Sequence, residues 1–401
     1  MPTNYLRLAV VLGLLSAIGP FAIDMYLPAL PSIGQDLDAS TSAVQWSLLI
    51  FFLSMGLGQI VVGPISDMVG RKPPLYFGLA LFMAGGIGAA LAPSIEWLVA
   101  FRFFQGLGAC AGMAIPRAVV RDLHTGTEAA KLMSLLMLVF SISPILAPLT
   151  GSFIIEAFGW RGVFWAVTIA ALLAVVLLST SIKETRLPKD RVGSSLGIAL
   201  SAYAFLLRDR KFLGLAAISG FAISSFFVYL SSSSFILIDH YGLSPQAYSV
   251  FFSINAVSFF AMSQLTGKFA EKYGLARVVR VAVSGYAATM IVLFALMASG
   301  IDSLAVLAAL LFVGYGFVGL VIPSTSVLAM DDHGAIAGTA SALLGTLQFA
   351  IGALAMGVSG AFFDGTPVPM VAGIAICAII SFTVAQFTLG RARQVIEAPA
   401  E

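Results

Sequence analysis

Along the chain, apolar positions come in long unbroken blocks. Twelve runs lie between clusters of charge, proline and glycine, over residues 8–28, 43–64, 74–92, 96–116, 131–153, 161–181, 212–235, 246–267, 278–298, 303–325, 335–360 and 369–389. A membrane helix needs about 20 predominantly apolar residues. Backbone that meets lipid has to satisfy its own hydrogen bonds, so these runs predict helices. None shows the two-residue alternation of a barrel strand. The expected fold is an all-α membrane protein with twelve transmembrane helices. The first run follows a single basic residue, Arg7, with no small-residue cleavage signal, and is read as a retained first helix.

Composition narrows the class further. Of 401 residues, 59% are hydrophobic and only 10% charged, with a mean hydropathy of +1.00. A soluble globular domain carries about 25% charged residues, so a water-soluble or disordered chain is excluded. The formal net charge of +2 gives no reason to expect nucleic acid. Cys110 and Cys377 both lie in apolar runs and fit neither a metal spacing nor a disulfide framework.

The positions of the charges carry more than their sum. Of the 21 lysines and arginines, Arg102 falls inside the fourth run and Arg161 between the fifth and sixth; the rest lie at the two ends or in the even-numbered connections. The positive-inside rule then puts those connections and both termini on the cytoplasmic side. The one long connection is central and divides the chain into a first set of six helices over 1–182, a cytoplasmic linker over 183–211 and a second set over 212–401. The two halves echo one another. Gly63, Asp67 and Gly70 recur as Gly267, Glu271 and Gly274, each 204 residues on, at the connection that a duplicated six-helix unit would place in register.

Few polar groups are left inside the runs. Asp24, in Gly19-Pro20-Phe21-Ala22-Ile23-Asp24-Met25-Tyr26-Leu27-Pro28, is the one acid well inside a run. A carboxylate in the bilayer interior costs at least about 2.5 kcal/mol on insertion scales. Two readings stand: a site that carries a proton or binds a cation, or a carboxylate that caps a helix broken beside Pro20 or Pro28. Arg102 is the one base well inside a run, and Gln105 shares its helix face. It either answers to the charge of Asp24 or of a substrate, or packs helices by bonding backbone carbonyls. Asp67 and Arg71, four apart in the tight Gly63–Gly70 frame, suggest a conformational latch; a plain anchor is the alternative. Pro144 and Pro148 would bend the fifth helix. Gly108 and Gly112 offer close helix packing. The candidates for a substrate cavity are Tyr26, Gln105, Met113, Phe226, Tyr229, Asn255 and Gln348. No His/Cys/Asp/Glu cluster fits a metal, no nucleophile–base pair is evident and no P-loop is present. Neither a metal nor a cofactor is therefore expected, and the chain reads as a transporter and not an enzyme.

These residues resemble the major facilitator superfamily over essentially the whole chain. The loop from Gly63 to Pro73 is similar to its motif A, and Arg102-Phe103-Phe104-Gln105-Gly106 to its motif B, typical of proton-coupled members. The proline-rich fifth helix resembles the antiporter motif C, with Ala147-Pro148 where Gly-Pro is usual and Ser152 in place of a second glycine. Asp24-Met25-Tyr26-Leu27-Pro28-Ala29-Leu30-Pro31, Val120-Arg121-Asp122 and Gly338-Thr339-Ala340-Ser341 are similar to the bacterial Bcr/CflA subfamily of drug exporters, the bicyclomycin and chloramphenicol resistance type. The resemblance implies two six-helix bundles with a binding cavity between them. It also implies proton-coupled export of amphipathic drugs across a bacterial inner membrane, by a monomer. It assigns proton coupling to Asp24 and Arg102, and pairs Arg71 with Asp122. Two other readings are carried forward: export of an endogenous small metabolite, and a polytopic membrane enzyme or sensor.

Overall fold

The computed structural model describes residues 3–124, 126–191 and 195–390. Fourteen α-helices cover nearly all of the described residues: α1 Thr3–Asp24, α2 Leu30–Asp36, α3 Thr41–Val69, α4 Lys72–Ala90, α5 Ile95–Leu123, α6 Gly126–Ser181, α7 Leu196–Leu206, α8 Arg210–Ser234, α9 Pro245–Gln264, α10 Thr266–Tyr273, α11 Leu275–Ala298, α12 Leu304–Asp331, α13 Ala337–Ala361 and α14 Pro367–Gly390. Short 3-10 turns join several of them, and α8 runs into a π-helical turn over Phe235–His240.

Among the described residues, eleven stretches are long and apolar enough to cross a membrane. One of them, Ser141–Ser181, is 41 residues long. At 1.5 Å per residue that is roughly twice the 30 Å of a hydrocarbon core. Inside α6, Gly159 leaves helical geometry with φ +69°, a left-handed conformation that costs glycine nothing. The break turns α6 into two crossings, which brings the span number to the expected twelve. The protein is an all-α, multi-pass membrane protein. Its outer faces agree: Phe77, Phe153, Leu354 and Phe387 are each more than 60% exposed, a surface that lipid covers and water would not tolerate.

Helix ends differ from the expected spans where local chemistry intervenes. The first run, 8–28, stops being α-helical at Asp24 and continues through a 3-10 turn, Leu27–Ala29, into α2. The eighth run breaks at Leu265, between α9 and α10. At the start of α3, the Ser40 hydroxyl accepts the Ala43 N–H at 3.3 Å. At the start of α8, the Asp209 carboxylate accepts the N–H groups of Lys211 and Phe212. Both are ordinary N-caps.

The chain divides into two compact units, one of residues 1–200 and 237–253, the other of 201–236 and 254–401. In the first, α5 packs against α1, α3 and α4, and α6 against α1 and α4. Glycines set these close approaches. A Cβ on Gly85 of α4 would lie 2.6 Å from the backbone N of Gln105 on α5, and a Cβ on Gly108 would run into the backbone carbonyl of Gly78. This unit includes the first half of α9. There Ser249 donates to the carbonyl of Pro148 at 2.9 Å and Ser253 to that of Ile145 at 3.0 Å, within the proline-bearing stretch of α6. In the second unit, α8 packs on α12, α13 and α14, and α11 on α12 and α14.

Candidate functional site

Among the described residues, three clusters gather most of the sequence candidates, two in the first unit and one in the second. The first is built around Asp24 and Arg102. Asp24 stands at the last position of α1, just before the backbone tightens (Tyr26 N–H to Ile23 O, 3.2 Å). It is buried, with 5% of its surface open. Its carboxylate makes no hydrogen bond or ion pair among the described residues. The break is closed by backbone bonds and the Tyr26 hydroxyl pairs with Ser47 at 2.7 Å, so Asp24 does not cap it.

Arg102, on α5, is fully buried. Its Nη1 donates to the Ala22 carbonyl at 3.2 Å and to Gln105 Oε1 at 2.8 Å. No carboxylate pairs with it among the described residues, Asp24 included. Aromatic faces take that place. The guanidinium lies 4.1 Å from the Phe51 ring centre, 4.6 Å from Tyr26 and 5.8 Å from Phe164. A desolvated cation–π contact contributes about 2 kcal/mol. Nε and Nη2 have no hydrogen-bond partner among the described residues. Arg102 therefore reaches the helix that carries Asp24 through a backbone carbonyl two residues earlier. Of the neighbouring candidates, Tyr26 and Gln105 touch it directly. Met113 lies two turns further along α5 and faces Gly19 of α1.

The second cluster fastens the α3–α4 turn. Arg71 is buried there and binds two acids: Nη1 to Asp67 Oδ1 at 2.7 Å, Nε to Asp122 Oδ2 at 2.7 Å and Nη2 to Asp122 Oδ1 at 3.0 Å. A further bond runs from Nη1 to the Ser66 hydroxyl at 2.7 Å. Burial alone would pull the Arg71 pKa down; the hydrogen bonds and charges of Asp122 and Asp67 outweigh it and hold it above the ordinary arginine value.

Glu184, which sequence reasoning passed over, completes this cluster. Helix α4 opens with Pro73 and Pro74 and has no side-chain cap of its own. The Glu184 carboxylate accepts the N–H of Arg71 at 2.8 Å and of Lys72 at 3.0 Å. An acid from 113 residues away thus takes the place of a local cap, where the helix dipole favours negative charge. Around it, Lys72 Nζ donates to the Ile182 carbonyl at 2.7 Å, Thr185 Oγ1 to Asp122 at 3.0 Å, and Arg186 Nε to the Asp67 carbonyl at 3.3 Å. The signal was there in part: two prolines open a helix with no Ser, Thr, Asp or Asn before them.

The third cluster lies in the second unit. Phe226 stacks on Phe259, with ring centres 6.5 Å apart, and meets Tyr315 edge-on at 5.6 Å. Tyr229 sits 5.6 Å from Tyr315, and Asn255 Nδ2 reaches the Tyr229 hydroxyl at 3.4 Å. The structure so brings together Phe226, Tyr229 and Asn255; Tyr315, absent from the sequence candidates, packs against both Phe226 and Tyr229. Gln348 is half-buried on α13. Among the described residues, no group of three His, Cys, Asp or Glu side chains could hold a metal ion.

Comparison with known proteins decides the class. The profile described as Major Facilitator Superfamily matches residues 12–356. The chain belongs to the Major Facilitator Superfamily. The uncharacterized MFS-type transporter YdgK of Bacillus subtilis (strain 168) is 39% identical over 378 residues, covering 94% of this chain and 93% of that one. A bicyclomycin resistance protein homolog of Haemophilus influenzae is 30% identical over 382 residues, 95% of each chain. Among solved structures, a D-xylose-proton symporter superposes with a TM-score of 0.72 over 96% of this chain and 97% of that one, at 20% identity; it shares the fold. As a superfamily member, this chain is a membrane transporter and not an enzyme.

Proposed function

We propose that this chain is a proton-coupled secondary transporter, working by alternating access, that exports a small uncharged organic solute of the cell's own metabolism. The observation that carries it is Asp24: a buried carboxyl in a membrane helix, unpaired among the described residues, and 5% open. An intramembrane ionisable group of this kind serves a proton or ion path more often than packing. The cavity candidates support an uncharged solute. Tyr26, Gln105, Tyr229, Asn255 and Gln348 offer hydroxyls and amides, which recognise a neutral polar molecule, and Met113 and Phe226 offer apolar surface.

A second reading is export of amphipathic drugs. It is favoured by the name of the Haemophilus influenzae relative, a bicyclomycin resistance protein homolog, and by the Bcr/CflA-like stretches around Asp24 and Asp122. In both readings Arg71 with Asp67 and Asp122 latches one state. We place the chain in a bacterial inner membrane, with both termini and the 183–211 linker cytoplasmic, an orientation that the arginine and lysine distribution supports.

The test is transport into liposomes by the purified protein under an imposed pH gradient. The solute panel holds small neutral metabolites and amphipathic antibiotics. Gradient-driven accumulation of a metabolite that Asp24→Asn abolishes is the expected result. Accumulation of antibiotics alone would favour the second reading. Transport at wild-type rate by Asp24→Asn would overturn the proton site.

A further inference from the structure

Away from these clusters, α11, α12 and α14 enclose a groove of about 430 Å³ lined by Arg280, Val281, Ser284, Gly285, Phe317 and Gln386. It opens on a lipid-facing surface, since Val281 is 62% exposed and Phe387, next to Gln386, is 68% exposed. Its depth comes from Gly285: a Cβ there would lie 2.5 Å from the tip of the Phe317 ring, so only glycine lets that ring lie flush against α11.

The groove holds a cation without a counter-charge. Arg280 makes no side-chain hydrogen bond or ion pair among the described residues, and its Nε is buried without a partner. Gln386 is likewise without a partner among them. The Ser284 hydroxyl is spent on the Arg280 carbonyl, at 2.7 Å, which leaves its oxygen free to accept. Arg280 is the sixth residue of α11 and Gln386 the fifth from the end of α14. At 1.5 Å per residue, each lies about 6–8 Å inside its helix end, the depth of a lipid headgroup and its glycerol. Lys272 and Arg277 add positive charge at the same end of α11.

We propose that this groove is a binding site for an anionic phospholipid of the cytoplasmic leaflet. The phosphodiester sits on the Arg280 guanidinium, a headgroup or glycerol oxygen on the Gln386 amide, and the acyl chain runs along Val281 and Phe317. Basic pockets between membrane helices on the cytoplasmic side recognise such headgroups by this complementarity. A free phosphate would satisfy Arg280 equally well but would leave the apolar length of the groove uncovered. The choice of leaflet rests on the orientation proposed above; the binding itself does not.

The experiment uses the full chain, delipidated in detergent. Native mass spectrometry measures occupancy by phosphatidylglycerol, by phosphatidylcholine and by inorganic phosphate. Phosphatidylglycerol should be retained in preference to phosphatidylcholine, and Arg280→Gln should lower its occupancy about fivefold. Arg280→Lys should restore most of it, and Lys189→Gln, in the central connection and outside the groove, should leave it unchanged. Val281→Trp fills the groove from an exposed position and should lower occupancy as well. If Arg280→Gln does not fold, Val281→Trp decides alone. Undiminished phosphatidylglycerol binding in Arg280→Gln, or in Val281→Trp, would overturn the site. Displacement of the lipid by inorganic phosphate would overturn the lipid in favour of a soluble anion. Because nothing here is transported, failure leaves the proposed transport function untouched.

Discussion

Arg71 and Asp122 meet fork to fork, Nε on Oδ2 at 2.7 Å and Nη2 on Oδ1 at 3.0 Å, across 51 residues of chain. That geometry fixes the α3–α4 turn to the end of α5 with more precision than a single lysine contact would allow. Arg71 is buried while Asp67 is 44% and Asp122 14% exposed, so the cluster lies between a surface pair and a buried one. Removing the cation leaves two acids facing each other beside Glu184. Arg71→Ala should therefore destabilise the protein by about 2 kcal/mol, between the two regimes. Thermal unfolding in detergent measures that loss. If the cluster latches one conformation, turnover should fall by more than solute affinity; a large loss of affinity with unchanged turnover would contradict the latch.

Glu184 gives the same cluster a pH signature. Burial raises its pKa. The N–H groups of Arg71, Lys72 and Arg186 and the charge of Arg191 outweigh that and hold it below the ordinary glutamate value. For a carboxyl depressed in the folded state, the stabilisation is complete above the unfolded value and is lost as pH falls through the folded one. The stability gap between wild type and Glu184→Gln should thus be flat between about pH 6 and pH 8, and should close only in the acid range. A gap that changes near neutrality would mean another group controls this turn.

Gly85 connects packing to the site. A Cβ at this position would press on the backbone N of Gln105 at 2.6 Å, and Gln105 holds Arg102. Backbone cannot swing aside, so α4 and α5 would have to part. Gly85→Ala should cost about 1–3 kcal/mol as an overpacking change, with a parallel loss of transport. Gly63→Ala is the control: a Cβ there meets nothing within 4 Å, and alanine favours a helix. Unfolding temperatures of the two variants, measured side by side, check this.

How much of this the chain announces in advance depends on the range of the force involved. Lipid acts on every residue of a span, so the helices were legible from hydropathy alone, down to the paired crossings in α6. The break at Gly159 fell in the gap left between the runs 131–153 and 161–181. Asp24 and Arg102 stood out because charge is rare where lipid surrounds the chain. The partners were not legible. Nothing in spacing links Glu184 to Arg71, or Phe51 and Phe164 to Arg102, because these contacts close loops of 50 residues or more and follow from helix packing. Tyr315 was hidden for a different reason: its helix, α12, is apolar all round, so no face was marked as inward.

The arginine itself makes a sharper prediction than its charge. Arg102 is held by the planes of Phe51 and Tyr26, by the Ala22 carbonyl and by Gln105. Lysine keeps the charge but loses the flat guanidinium and its fork of donors. Arg102→Lys should therefore lose transport by tenfold or so, equivalent to about 1.4 kcal/mol, rather than behave as a conservative change. Phe51→Leu, which removes one aromatic face and leaves the arginine in place, should show a smaller loss in the same direction. Rates in liposomes for the three proteins check the order; equal rates for Arg102→Lys and wild type would show that charge alone suffices.

If Asp24 exchanges the coupled proton, solute binding must carry its mark. Export driven by proton influx requires that the proton and the solute oppose one another at some step. By linkage, the effect is reciprocal: solute binding releases a proton, and protonation weakens solute binding by the same factor. Solute affinity should then fall as pH drops through the titration of Asp24 and level off on either side of it. In Asp24→Asn the carboxyl is replaced by a neutral amide of similar size, so affinity should be independent of pH over the same range, while the fold persists. Equilibrium binding by calorimetry in two buffers of different protonation enthalpy measures both the affinity and the protons released. Arg102→Gln provides the second arm: it removes a buried cation beside α1 and should shift the midpoint of the wild-type curve without abolishing it. A pH-dependent affinity that survives in Asp24→Asn would move the proton to another residue.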